Sequence, residues 1–244
     1  MPTIGAGVTI GPGVTTSYGV IQANLVTDTN TNSTLSYASG ANWYDTSASK
    51  LVFAGNASYI STGTNGVTSG VSWSTATTDV LNTDTHTILF MIRFNSSVTY
   101  PQGYTGYWEK IFSYNAGGSD RSPGIWRYPS NRLIHWRYDP GNTGIDISLN
   151  GSINNNWGTE FVVNTWYYIG VTKNGATATA YCNGANVGTA TVANPKTAGT
   201  APLILFEYYT ASLANINNLL IYNRVLSDAE VAQNFTAVRG LYGI

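Results

Sequence analysis

Residues 216–230, INNLLIYNRVLSDAE, hold a strand and the start of a helix in one short run. Leu219–Tyr222 is apolar and has the length of a buried strand. Ser227 stands three residues before Glu230. At that spacing a serine hydroxyl and a glutamate carboxylate each satisfy a backbone N–H of a helix start. Leu226 and Val231 occupy the flanking positions whose apolar contact sets the entry angle. Val231, Phe235 and Val238 continue one apolar stripe at i, i+4, i+7. Gly240 is the expected stop. The run therefore predicts a short helix, packed against a sheet edge, after a series of strands.

Outward from that run the pattern is strand and turn. Thr85–Phe94 alternates, with Ile88, Phe90 and Ile92 on one face and Leu89, Met91 and Arg93 on the other. Residues 166–172 and 177–182 read as a hairpin about Asn174 and Gly175, a strong turn pair. Residues 51–54 and 58–61 read as a second hairpin about Gly55 and Asn56. Residues 125–128 and 133–138 form a third about the segment 129–132, and 202–206 reads as a buried strand. No rhythm of alternating strands and helices interrupts them, so an all-β fold is expected.

Composition agrees and removes several function classes. The 244 residues are 43% hydrophobic and 13% aromatic, which argues against disorder. Charged residues are 9%, against roughly 25% in an ordinary soluble domain. The net charge of −1 lacks the basic excess of a nucleic-acid binder. No stretch approaches the ~20 apolar residues that cross a bilayer, so membrane insertion is not expected. Residues 1–23 contain no Lys or Arg, so a secretory signal is not expected either. The single cysteine, Cys182, leaves neither an intrachain disulfide nor a cysteine zinc site.

Residues 1–19 differ from the rest. IGAGVT at 4–9 is followed at once by IGPGVT at 10–15, a six-residue period repeated twice. Two such units cannot bury their own apolar faces. Either they form a Gly-rich tail, or Ile4, Val8, Ile10 and Val14 anchor an assembly arm on a neighbouring subunit, as an added strand. Residues 1–19 are accordingly an expected extended arm, and 20–244 an expected single domain.

Five segments resemble the concanavalin A-like lectin/glucanase superfamily, in its laminin-G-like jelly-roll branch. They are SYASGANWYD at 36–45, LVFAG at 51–55 with Tyr59 and Ile60, and THTILFMIRF at 85–94. NTWYYIGVTKNG at 164–175 with YCNG at 181–184, and the run 216–230, complete the set. The resemblance implies a two-sheet antiparallel jelly-roll sandwich with one short C-terminal helix. The closing residues 233–244, QNFTAVRGLYGI, resemble members encoded by tailed phages, cyanophages among them. That implies a virion location, with a capsid or tail protein of the same particle as partner.

Retaining glucanases need two carboxyls about 5–5.5 Å apart. The four glutamates, Glu109, Glu160, Glu207 and Glu230, show no paired spacing along a strand. His86 and His135 lie in no nucleophile motif and read as sheet residues. Asp139, Asn142 and Asp146 offer oxygen ligands for a calcium ion, but they also suit a polar turn, and no metal or other cofactor is expected.

The segment 100–138 is richest in recognition residues. Tyr104, Tyr107, Trp108, Trp126, Arg127, Tyr128 and Arg132 are its candidate carbohydrate- or partner-binding residues. Aromatic rings and arginines suit sugars, subunit contacts and cross-strand packing alike, and all three remain open here. The function expected is a non-enzymatic bacteriophage virion surface protein, a capsid decoration or a tail or fibre adhesin. Host-surface glycan is a further partner, and homo-oligomers are expected. The alternative is a free carbohydrate-binding lectin domain of bacterial origin.

Overall fold

A computed structural model describes residues 19–95, 108–118, 120–128, 131–149, 151–153, 158–207 and 214–244. The arm positions Ile4, Val8, Ile10 and Val14 lie outside the described residues, as do Tyr104 and Tyr107. The chain begins with β1 (Leu25–Thr29), β2 (Asn42–Tyr44), β3 (Val52–Ala54), β4 (Ile60–Ser61), β5 (Gly66–Thr68), β6 (Trp73–Ser74) and β7 (Thr85–Phe94). Next come β8 (Glu109–Tyr114), β9 (Gly124–Arg127), β10 (Ile134–Arg137), β11 (Gly144–Ser148) and β12 (Gly151–Ile153). They are followed by β13 (Trp166–Asn174), β14 (Thr177–Cys182), β15 (Ala185–Thr191), β16 (Leu203–Leu205), β17 (Ala214–Tyr222) and the helix α1 (Asp228–Tyr242).

The strands form two antiparallel sheets. The back sheet runs β15-β14-β13-β7-β17-β5-β4, with β1 also on β17, and the front sheet runs β12-β11-β10-β9-β8-β16-β6-β3-β2. The sheets meet over one apolar core, which confirms the expected sandwich. Ile88, Phe90 and Ile92 of β7 join Ile169 and Val171 of β13, and Ile125, Ile134, Trp136 and Ile147 of the front sheet. Each such side chain contributes roughly 1.5–3 kcal/mol on burial. The opposite face of β7 is buried as well. Leu89 and Met91 join Trp166, Tyr168 and Tyr222 under Val231, Val238 and Tyr242 of α1. The helix thus covers the outward face of the back sheet, where a sheet-edge position was expected.

Two further expectations are corrected. Helix α1 runs on through Gly240 and ends at Gly243, whose φ of 71° is the left-handed cap. Phe235 is half-buried and stacks on Tyr168, with ring centroids 5.9 Å apart. The fully buried member of that turn is Asn234, which accepts from the Ile21 N–H and donates to the Tyr222 hydroxyl. The run 51–61 is also no hairpin. β3 lies in the front sheet on β2 and β6, and β4 lies in the back sheet on β5. Gly55 is there for space: a Cβ would stand 2.3 Å from the Trp73 ring.

The start of α1 is as expected. Ser227 Oγ accepts from the Glu230 N–H, and Glu230 Oε2 accepts from the Ser227 N–H at 2.9 Å. Ser227→Ala should therefore lower stability by roughly 0.5–2 kcal/mol. Thermal unfolding measures this, and an unchanged midpoint would mean that the box contributes nothing.

Candidate functional site

The two sheets present their outward faces differently. The back sheet is roofed by α1, whereas the front sheet gathers polar and aromatic side chains over β8–β11. Alternation decides which side chains these are. Ile125, Ile134, Trp136, Ile145 and Ile147 point into the core. Trp126, Tyr128, His135, Arg137 and Asp146 therefore point out. Register then aligns them. Lys110 pairs with Trp126, Trp126 with His135, and His135 with Asp146, one row across four strands.

Asp146 is the hub of this row. Arg137 grips it with two guanidinium nitrogens, at 2.7 and 3.1 Å. The Tyr128 hydroxyl donates to it at 2.7 Å, and His135 Nδ1 lies 3.0 Å away. Burial pushes the Asp146 carboxyl up, but the His135 and Arg137 hydrogen bonds, the Arg137 charge and the Tyr128 hydroxyl together hold it below its ordinary value. Burial drives His135 the other way, below the usual imidazole range, and Asp146 only partly offsets this. Burial thus favours the neutral imidazole. Because an ionised carboxylate can only accept, the Nδ1 of His135 carries the proton.

Aromatic rings enclose this hub. Trp108 lies 4.4 Å from the His135 ring and 4.8 Å from Tyr128, while Tyr128 lies 5.2 Å from His135. Trp126, Tyr128, His135, Arg137 and Asp146 are all buried, but Trp108 is 44% exposed. At the other end of the row, Lys110 Nζ meets Glu207 at 2.6 Å and Asp120 at 3.5 Å. Beside Asp120 a cavity of about 360 Å³ is lined by Gly117, Gly118, Asp120, Arg121, Pro140 and Thr197. Arg121 lies 6.0 Å over the Trp126 ring, so the cavity adjoins the row.

Each glutamate faces a cation. Glu109 pairs with Arg127, Glu160 with Arg132 at 2.9 Å, Glu207 with Lys110 and Glu230 with Arg224 at 2.7 Å. Glu207 and Asp120 do approach one another, but with the Lys110 ammonium in contact with both.

A family model described as the concanavalin A-like lectin/glucanases superfamily (Laminin_G_3) matches residues 54–232. The chain belongs to this superfamily. Among solved structures, the Trypanosoma rangeli sialidase superposes with a TM-score of 0.64 at 14% identity, over 91% of this chain and 34% of the sialidase. The binding domain of botulinum neurotoxin serotype D superposes with a TM-score of 0.60 at 13% identity, over 88% of this chain and 52% of that one. The chain spans about a third to a half of these structures, and the likeness is one of fold. No curated protein matched the chain by sequence.

In this superfamily member the sequence-derived candidates divide by face. Trp108, Trp126 and Tyr128 come together on the outward front face. Arg127 stands on the opposite side of β9, 1% exposed and paired with Glu109 in the interior, so it cannot meet a ligand on the outward face. Arg132 sits in the β9–β10 turn and binds the Phe161 carbonyl and Glu160. The calcium candidates are drawn into separate roles. Asp139 accepts from the N–H and hydroxyl of Thr143, Asn142 reaches the His135 imidazole, and Asp146 holds Arg137. Among the described residues no three His, Cys, Asp or Glu side chains gather as metal ligands. Sequence reading missed Lys110, His135, Arg137 and Glu207. The signal available was parity: His135 and Arg137 alternate with Ile134 and Trp136.

Proposed function

We propose that this chain is a non-enzymatic, lectin-like recognition module of a tailed-phage virion, a capsid decoration or tail adhesin, and that it contacts glycan through the outward front face at Trp108. The observation that carries the reading is the exposed Trp108 ring, set against an otherwise buried Tyr128–His135–Asp146–Arg137 network. A sugar ring stacks its C–H face on an aromatic surface, and a rigid support removes the ordering cost. Trp108 supplies the surface, and the four-partner hub of Asp146 supplies the support. The adjoining cavity, with Asp120, Arg121 and Thr197 in its lining, is polar enough to receive sugar hydroxyls. Each glutamate is set against a cation rather than beside a second glutamate, which supports binding over a retaining mechanism that needs two carboxyls about 5–5.5 Å apart. The virion setting rests on the resemblance of residues 233–244 to phage-encoded members.

The test is binding to a panel of host envelope polysaccharides and oligosaccharides, with Trp108→Ala alongside. Binding should weaken at least tenfold, about 1.4 kcal/mol, while the variant still unfolds cooperatively. Intact affinity in Trp108→Ala would remove the platform from the site. Release of reducing sugar by the intact chain, abolished by Glu207→Gln, would make the protein an enzyme.

A further inference from the structure

Strand edges present backbone N–H and C=O groups to any chain that can pair with them. The edges of this sandwich are unequal. The front sheet ends in β12 and β2, each three residues long, and β4 has two. β1 has five residues, four of them buried. β15 has seven, no residue of it is buried, and among the described residues it pairs only with β14. Its sequence, ANVGTAT, carries no charge and no proline, the devices that usually blunt an edge. A bulge near Val187 and the Asn186 side chain on the Gly188 N–H guard its first half. Beyond the guarded Gly188 N–H, the stretch to Thr191 runs in regular register on Thr177–Ala180.

A segment with matching character precedes the domain. Residues 1–18 contain no charged side chain. The path of the described chain shows where that segment starts. The Ile21 N–H bonds to Asn234, and Gly19 lies against Ala237. Traced backwards, the chain moves toward the C-terminal end of α1. β15 meets the other end of the helix, where Asn186 bonds to Asp228. At Gly19 the described chain thus heads away from the β15 of its own copy, and eighteen further residues span at most ~60 Å.

We propose that residues 1–18 of one copy add a strand to the Gly188–Thr191 edge of β15 in a second copy. The added backbone would satisfy the open edge, and the apolar positions Val8 and Ile10 would lie where no charge opposes them. A head-to-tail contact of this kind closes into a ring or runs on as a filament.

The test uses the full chain. Sedimentation should show concentration-dependent oligomers for the intact protein. Thr189→Lys and, separately, Val8→Lys should each weaken self-association at least tenfold while leaving the melting temperature unchanged. Copies carrying Thr189→Cys should form disulfides with differently tagged copies carrying a cysteine between residues 4 and 15. An intact chain that stays monomeric at high concentration would overturn the proposal. So would oligomers indifferent to both lysines, or disulfides that form only within one chain when both cysteines are present.

Discussion

Asp84→Ala should destabilise the fold by about 3–5 kcal/mol, because it strands a buried charge. Lys173 has a wholly buried side chain, and its Nζ meets Asp84 Oδ1 at 2.8 Å. The same oxygen accepts from the Lys196 N–H at 2.7 Å. The Asp84 carbonyl in turn accepts from the N–H of Gly175, in the β13–β14 turn. One residue thus ties together the entry to β7, the end of β13 and the loop before β16. Removing the carboxylate leaves the Lys173 ammonium with the Gly175 carbonyl and the face of Tyr138, 5.6 Å away. Neither carries the opposite charge. Asp84→Asn keeps an acceptor and should cost less. Urea unfolding at pH 7 measures both, and a midpoint shift worth under ~0.5 kcal/mol for Asp84→Ala would sink the argument.

The same cluster sets a dependence on acid. Burial pushes the Asp84 carboxyl up, but the Lys173 and Lys196 hydrogen bonds and charges outweigh it and hold the group below its ordinary value of 3.8. Its contribution is present above that value and is lost as pH falls through the lower, folded one. His86, opposite Lys173 in register, is pulled down to about 3, chiefly by burial and further by the two lysines. Between its ordinary 6.5 and about 3 the unfolded chain binds the extra proton, so stability falls as pH is lowered across that window.

How much of this was legible in the sequence depended on what each feature needs. Thr85–Phe94 could be read to the residue, because its two faces go to two different apolar clusters and its alternation is local. The start of α1 could be read because a capping box involves four neighbouring residues. The run 51–61 could not. Gly55 and Asn56 suit a tight turn, and only the Trp73 ring, brought in by β6, shows why the glycine is needed. Gly240 and Gly243 are both plausible stops, and the left-handed φ of Gly243 decides between them. The site lay between these cases. Its aromatic content was plain, but its order was not, because Lys110, Trp126, His135 and Asp146 meet through three separate strand pairings. A shift of one residue in any of them would turn its set to the other face. Arg127 illustrates this: one step from Trp126 in sequence, it lies on the core side with Glu109.

Gly144→Ala should damage fold and site together. Gly144 pairs with Arg137 across β10 and β11, and a Cβ there would stand 1.8 Å from the Trp136 carbonyl oxygen and 2.7 Å from the Arg137 Cδ. The first atom belongs to the backbone and cannot swing aside, so the two strands must part. Parting them separates Arg137 on β10 from Asp146 on β11, whose double hydrogen bond spans that ladder. His135 and Tyr128 then lose their shared acceptor, and Trp108 loses the ring it packs on. The expected cost exceeds ~4 kcal/mol, because overpacking between the strands and loss of the buried Arg137–Asp146 pair act together. Arg137→Met supplies the comparison. It removes the guanidinium but leaves the strands in register, so it should disturb the Asp146 hub with a smaller loss of stability. Chemical unfolding of both variants, with near-UV circular dichroism reporting on the Trp108 and Trp126 environment, separates the two effects. A Gly144→Ala protein as stable as the original would mean that β10 and β11 tolerate the added methyl, and that the close approach of these strands is not what holds the row in place.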